Sequence, residues 1–214
     1  MGKRFSSCLD CKLILILLNA LWYNQPMVKG IEGKRFDGSH VSGSVVEKEL
    51  LGEVGREYVE RFKGAEYVPY CQALAMVKES QPFDPADPEP RFASDLHATV
   101  ADKLGLEDYS QLKFYTAVSK THLDVFHGID AFLEFQYGDD VKGVVMATMD
   151  LTTRPKKLWK ADVLIVVPDE GFDFKDSEDK QKCMRVIEDA AQKLAHVLYY
   201  RIDHPNASAE SPLA

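Results

Sequence analysis

Cysteine is scarce. The four present, Cys8, Cys11, Cys71 and Cys183, are too few and too scattered along 214 residues for a disulfide framework, which small domains use when they cannot build a core. The expected compartment is therefore reducing and cytoplasmic. Cys8-x2-Cys11 has the spacing of half a zinc site, but no second pair of Cys or His stands at ligand spacing, which disfavours a structural zinc. Long apolar runs are missing too. The best of them, Leu13 to Leu18 with an extension to Trp22, follows Lys3, Arg4 and Lys12. It is shorter than the ~20 residues that span a bilayer, and no small-x-small cleavage site of a signal peptide follows it. A buried segment, or an extension upstream of the domain, is the expected reading.

A surplus of positive charge is also absent. Twenty-six Lys and Arg against 34 Asp and Glu give a net charge of −8, which excludes a uniformly basic sleeve for nucleic acid and leaves room only for a local basic patch. No Gly-x-Ser-x-Gly elbow, Walker loop or dinucleotide-binding glycine pattern occurs, and no internal repeat. What is present is a globular composition, 45% hydrophobic and 28% charged, in a chain long enough to bury a sizeable core.

Residues 1–43 read as an N-terminal appendage and linker, 44–202 as the domain proper and 203–214 as a tail. Ser44-Val45-Val46-Glu47 is a capping box, and Val46, Leu50, Val54 and Tyr58 recur at helical spacing. The spacing predicts a helix from Ser44 to about Lys63, with Gly52 and Gly55 as weak points. A shorter helix is expected over 71–78, then a loop holding Pro82, Pro85, Pro88 and Pro90. Phe92, Leu96, Val100 and Leu104 repeat every four residues and Gly105 supplies a stop, predicting a third helix with His97 at its boundary or surface. From Leu112 the pattern changes to strands, over 112–118, 125–136, 141–152 and 161–167. Tyr137-Gly138-Asp139-Asp140 is a turn, so the second and third strands form an antiparallel hairpin. The fourth is almost continuously apolar, so coverage on both faces is expected. A last helix runs from about Glu178 to Tyr199. The fold class is α/β, with a small mixed sheet of about four strands flanked by helices.

Charged residues inside apolar strands cost free energy and mark candidate sites. Asp130 and Asp150 are two such residues, and the hairpin could bring their carboxylates to one end of the sheet. Two close carboxylates repel unless one keeps its proton or a cation lies between them. A hard ion such as Mg²⁺ (or Mn²⁺) uses one or two carboxylates with water and phosphate oxygens. Next along the chain, Arg154, Lys156, Lys157 and Lys160 put four positive charges and no acid into residues 152–160, the local patch that a phosphate backbone selects. Trp159 among them could stack on a base or pack inward. His127 is expected on the opposite sheet face from Asp130 and His122 in a loop, neither with a role.

Asp124-x5-Asp130, with Asp150 twenty residues later at the end of an apolar strand, resembles the PD-(D/E)XK nuclease-like superfamily over roughly Ser44 to Tyr200. The resemblance implies a restriction-endonuclease-like sheet, with Asp130 and Asp150 holding Mg²⁺ and Glu53 or Glu57 as the acid of the preceding helix. The family's lysine belongs where this chain has Thr152. Lys160 is the first candidate for a relocated lysine and Lys157 the second, while Asp162 is read as a polar strand start. The function implied is metal-dependent hydrolysis of nucleic acid, DNA ahead of RNA, with Asp130, Asp150 and Lys160 catalytic and Arg154, Lys156 and Lys157 on phosphate. A homodimer is compatible with it, and no membrane is involved. The rival expectations are an inactive nuclease fold serving as a binding or assembly module, and an unrelated α/β domain that offers an acidic surface to another protein.

Overall fold

The chain divides into two units, Met1–Gly38 and Ser39–Ala214. The computed structural model describes residues 43–55, 57–58, 67–118, 120–138, 143–154 and 158–204, all in the second unit. Cys8, Cys11, the run from Leu13 to Trp22, nearly all of the linker, most of the tail, and Lys156 and Lys157 lie outside the described residues.

Helix α1 covers Gly43–Leu51 and buries Val46, Leu50 and Leu51. It starts one residue before Ser44, which therefore sits inside the first turn instead of capping it. It also stops well short of Lys63, because Gly52 takes a left-handed φ of 80°. A side chain at Gly52 would put its Cβ 3.0 Å from both the Phe83 ring and Pro90, so only glycine allows the chain to turn there. The predicted α2 (Tyr70–Lys78) and α3 (Arg91–Leu104) are present. Phe92, Leu96, Val100 and Leu104 are buried along α3, which ends on Gly105 in the left-handed conformation. His97 is not at the surface. It is 4% exposed, and its Nε2 lies 2.9 Å from the Leu112 carbonyl, a partner that makes burial of the ring tolerable.

The sheet is mixed and four-stranded, in the order β1 (Leu112–Thr116), β2 (Ala131–Tyr137), β3 (Gly143–Thr152), β4 (Val163–Val166). β1, β2 and β3 pair antiparallel in succession, and β4 runs parallel to β3. The hairpin register closes on Tyr137 opposite Gly143, where the turn signal placed it. Helix α5 follows as Ser177–Asp203. Its Cys183, Ile187, Ala190 and Leu194 join Met149, Leu151, Val163 and Ile165 from one sheet face, and α3, in the main core. A smaller cluster on the other face joins Phe132 and Tyr115 to Ala73 and Val77 of α2.

Two strand readings are corrected. Residues 125–130 are not strand: His122–His127 form a short helix, α4, and β2 starts only at Ala131. Nor is β4 covered on both faces. Val163 and Ile165 face α5 and the core, but Val166 is 42% exposed. Among the described residues no helix is long and apolar enough to cross a membrane.

Candidate functional site

Local chemistry in α4 sets up the first candidate carboxylate. Thr121 accepts a hydrogen bond from the Asp124 N–H at 3.2 Å, and Asp124 in turn accepts from the Lys120 N–H at 3.0 Å, closing the first turn from both sides. Gly128 ends the helix in a left-handed conformation, φ 63°. The chain then enters β2 through Asp130, whose N–H donates to the Met149 carbonyl at 3.0 Å while its carbonyl accepts from the Ala117 N–H at 2.7 Å.

Ala131 pairs with Met149 at the last position of the register, and the Asp130 N–H bond to the Met149 carbonyl shifts the pairing there, leaving Asp130 beside the end of β3 that carries Asp150. Met149 and Leu151, on either side of Asp150, belong to the main core, so alternation turns Asp150 to the other face, at the same end of the sheet as Asp130. Asp130 is 6% exposed and Asp150 5%. One carboxylate oxygen of Asp130 accepts from the Leu151 N–H at 2.7 Å. Burial nevertheless pushes the Asp130 carboxyl up to about 8, and Asp150, Glu47 and Asp124 add to the rise through their negative charges. The cluster therefore joins a strand entry, a mid-sheet strand, the first helix and α4.

Glu47 is the acid that sequence reasoning missed. It lay in view only as part of a capping box, whereas the helix acid was sought at Glu53 or Glu57. Glu53 falls beyond α1 and pairs with Lys48 at 2.7 Å, and Glu57 is exposed. No spacing in the sequence marks it: Glu47 follows Val46 on a helix that packs beside β3, and a Cβ at Gly43 would lie within 4 Å of both Glu47 and Thr153.

The basic candidates are distributed differently. Lys160 Nζ donates to the Phe126 carbonyl at 3.0 Å, an interaction with the C-terminal end of α4 of the kind cations favour, and its stem lies 3.9 Å from a Cβ position at Gly128. It thus sits on the loop that leads into Asp130, with its ammonium on a carbonyl. Arg154 is exposed. Its N–H donates to the Thr152 hydroxyl at 3.2 Å, and that hydroxyl donates to the Arg154 carbonyl at 3.0 Å. Trp159 is 41% exposed.

Asp162 is a structural residue. Arg201 of α5 grips both of its oxygens at 2.8 Å, and the Thr148 N–H and hydroxyl both lie 2.8 Å from Oδ2. His127 belongs to α4 and not to a sheet face, and its Nε2 is 3.0 Å from the Val68 carbonyl. His122 is also in α4, buried, with its Nδ1 3.0 Å from the Tyr58 hydroxyl.

Chemically, the arrangement can hold a proton, or share a hard cation, between two desolvated carboxylates. The donor set around Asp130 is all oxygen, which suits Mg²⁺ or Mn²⁺ over softer metals. Among the described residues no three His, Cys, Asp or Glu side chains form a ready-made metal cage. Mg²⁺ does not need one, since it keeps most of its water and takes one or two carboxylates. Comparison with models of protein families, with curated proteins and with solved structures gave no match, so the site is read from its own chemistry.

Proposed function

We propose that this chain is a metal-dependent nuclease of the PD-(D/E)XK type, acting on DNA ahead of RNA. One observation carries the reading: Asp130, at the entry to β2, and Asp150, near the end of β3, are both buried at one end of the sheet, and Asp150, Glu47 and Asp124 all act on Asp130 through their negative charge. A buried Asp130 with negative charge around it is stabilised either by a proton or by a cation, and this reading takes the cation. An acid on the preceding helix also fits the resemblance, with Glu47 in the place sought at Glu53 or Glu57.

Asp130 and Asp150 are the residues that would hold Mg²⁺ or Mn²⁺. The ion's chemistry is to polarise a phosphodiester oxygen and lower the pKa of bound water. The chain's own share is to keep one Asp130 oxygen fixed on the Leu151 N–H. Arg154, with Lys156 and Lys157, is the phosphate contact in this reading, and Lys160 the group that orients water.

A second reading has a specific observation behind it. Thr152, at the position of the family's lysine, is tied to the Arg154 backbone, and the Lys160 ammonium is occupied by the Phe126 carbonyl. Both favour a nuclease fold without cleavage, serving as a binding or assembly module. Labelled single- and double-stranded DNA and RNA, incubated with Mn²⁺ and either wild type or Asp150→Ala, separate the two. The nuclease reading expects cleavage by wild type alone, with equal unfolding midpoints. Equal cleavage by both proteins overturns it, and cleavage by neither leaves the module reading.

A further inference from the structure

Helix α4 carries more than the turn into Asp130. Tyr67 is 64% exposed, yet its ring is held by two others at the C-terminal end of the helix, edge-on to Phe126 with centroids 5.6 Å apart and tilted on His127 at 5.7 Å. His127 is itself fixed by the Tyr70 ring at 5.4 Å and by the Val68 carbonyl. The Lys160 ammonium on the Phe126 carbonyl brings residues 158–160 to the same end of α4, and there Leu158 is 85% exposed and Trp159 is exposed beside it. Val125 of α4 is exposed as well.

Single exposed apolar residues are ordinary, whereas a group of them rimmed by polar side chains marks an interaction site. The chemistry of the rim says what this one meets. Arg154 and Lys160 are exposed, and residues 152–160 contain no acid in a chain of net charge −8. Aromatic rings with cations beside them bind a polynucleotide through its base faces and its phosphates. A duplex hides those faces in its own stack, so the rings can engage only unpaired bases. The group is also continuous with the carboxylates. Phe126 is four residues from Asp130, a span of no more than about 14 Å, and the Lys160 stem lies 3.9 Å from a Cβ position at Gly128, midway between them.

We propose that the site takes single-stranded nucleic acid, with unpaired bases stacked on Tyr67 and Trp159 and the backbone drawn past Arg154 and Lys160 toward Asp130 and Asp150. The inference rests on the nuclease reading for what happens at the carboxylates, and it adds the form of the substrate: a strand in place of a duplex. Because Phe126 and His127 already hold the Tyr67 ring, a base that stacks on it orders little that was free, which is where an exposed but unsupported tyrosine would lose affinity. Stacking is tolerant of sequence and of the sugar, since every base offers a ring face, so strands of DNA and of RNA are both expected to bind.

The test is fluorescence anisotropy of the full chain with labelled oligo-dT and oligo-U of about 15 nucleotides, which covers a typical single-strand site, and with a duplex of the same length, all in EDTA so that binding is read without cleavage. Both single strands are expected to bind at least about tenfold tighter than the duplex, the worth of one to two stacked bases. Tyr67→Leu and Trp159→Leu should each weaken single-strand binding at least about fivefold, while Tyr67→Phe, which keeps the ring, retains wild-type affinity. Leucine preserves an apolar surface, so this split separates base stacking from the docking of an apolar protein segment. Both side chains are exposed, so unfolding midpoints should be equal across the set. Absence of binding, equal affinity for the duplex, or affinity unchanged in both leucine variants overturns the proposal. Ring-dependent binding of single strands by a protein that cleaves nothing with Mn²⁺ supports it while removing the nuclease reading, and Asp150-dependent cleavage with no preference for single strands does the reverse.

Discussion

Asp130 and Asp162 each stand just before a strand of the same sheet with little of the carboxylate exposed, and the protein treats them in opposite ways. Around Asp162 four contacts from Arg201 and Thr148 occupy both oxygens, and Arg201 also donates to the Met146 carbonyl, which locks the end of α5 to β3. Around Asp130 one backbone N–H is the neutralising partner, and Asp150, Glu47 and Asp124 press the other way. The first acid is a finished ion pair that holds the fold. The second remains costly at neutral pH unless something positive arrives. Burial of a carboxylate is therefore not what distinguishes a site; the charge of its neighbours is.

Removing the cation from the finished pair should do the most damage. Arg201→Met is expected to destabilise by about 3–5 kcal/mol in urea unfolding, since the Asp162 charge then stays largely desolvated with no positive partner. The same logic predicts the opposite sign at the other acid. Asp130→Asn keeps the shape and the acceptor for Leu151 while removing the charge, and should gain at least about 1 kcal/mol at pH 8, the worth of one pKa unit, and little at pH 4. In wild type the raised folded-state pKa means that the folded protein holds a proton the unfolded chain has lost. Stability should be full below about pH 4, the usual carboxylate range, fall as the pH rises, and level off beyond the folded value of about 8. Thermal midpoints measured across that range check both the direction and its loss in Asp130→Asn. Thr148→Val, which removes one hydroxyl from Asp162, should cost about 1 kcal/mol. Smallest of all, Lys160→Met at an exposed side chain should change the unfolding free energy by no more than about 0.5 kcal/mol. If Lys160 orients water, cleavage falls in this variant without a matching loss of stability.

Much of this was legible in the sequence. The four-residue repeat from Phe92 to Leu104, the turn at 137–140 and the apolar alternation of 143–152 are strong local signals, and they delivered α3, the hairpin and the shared end of the sheet for Asp130 and Asp150. Other features depend on tertiary contacts that no periodicity encodes. Gly52 ends α1 because Phe83 and Pro90, thirty and more residues away, close on it. Residues 122–127 carry a strand-like run, but Thr121, Asp124 and Gly128 form the two ends of a helix, and the end signals outweighed the apolar pattern. His97 was misplaced because its partner is a carbonyl on another element. Glu47 reaches the site only through the packing of α1 beside β3, and Asp162 looked like an ordinary strand start until Arg201, 39 residues on, was brought to it.

The most direct measurement is a calorimetric titration of Mn²⁺ into wild type and into Asp130→Asn at pH 8, where the Asp130 proton is most easily displaced. The account predicts saturable binding with proton release in wild type, read as a heat that varies with the ionisation enthalpy of the buffer, and none of it in the variant. Identical titrations of the two proteins would contradict it.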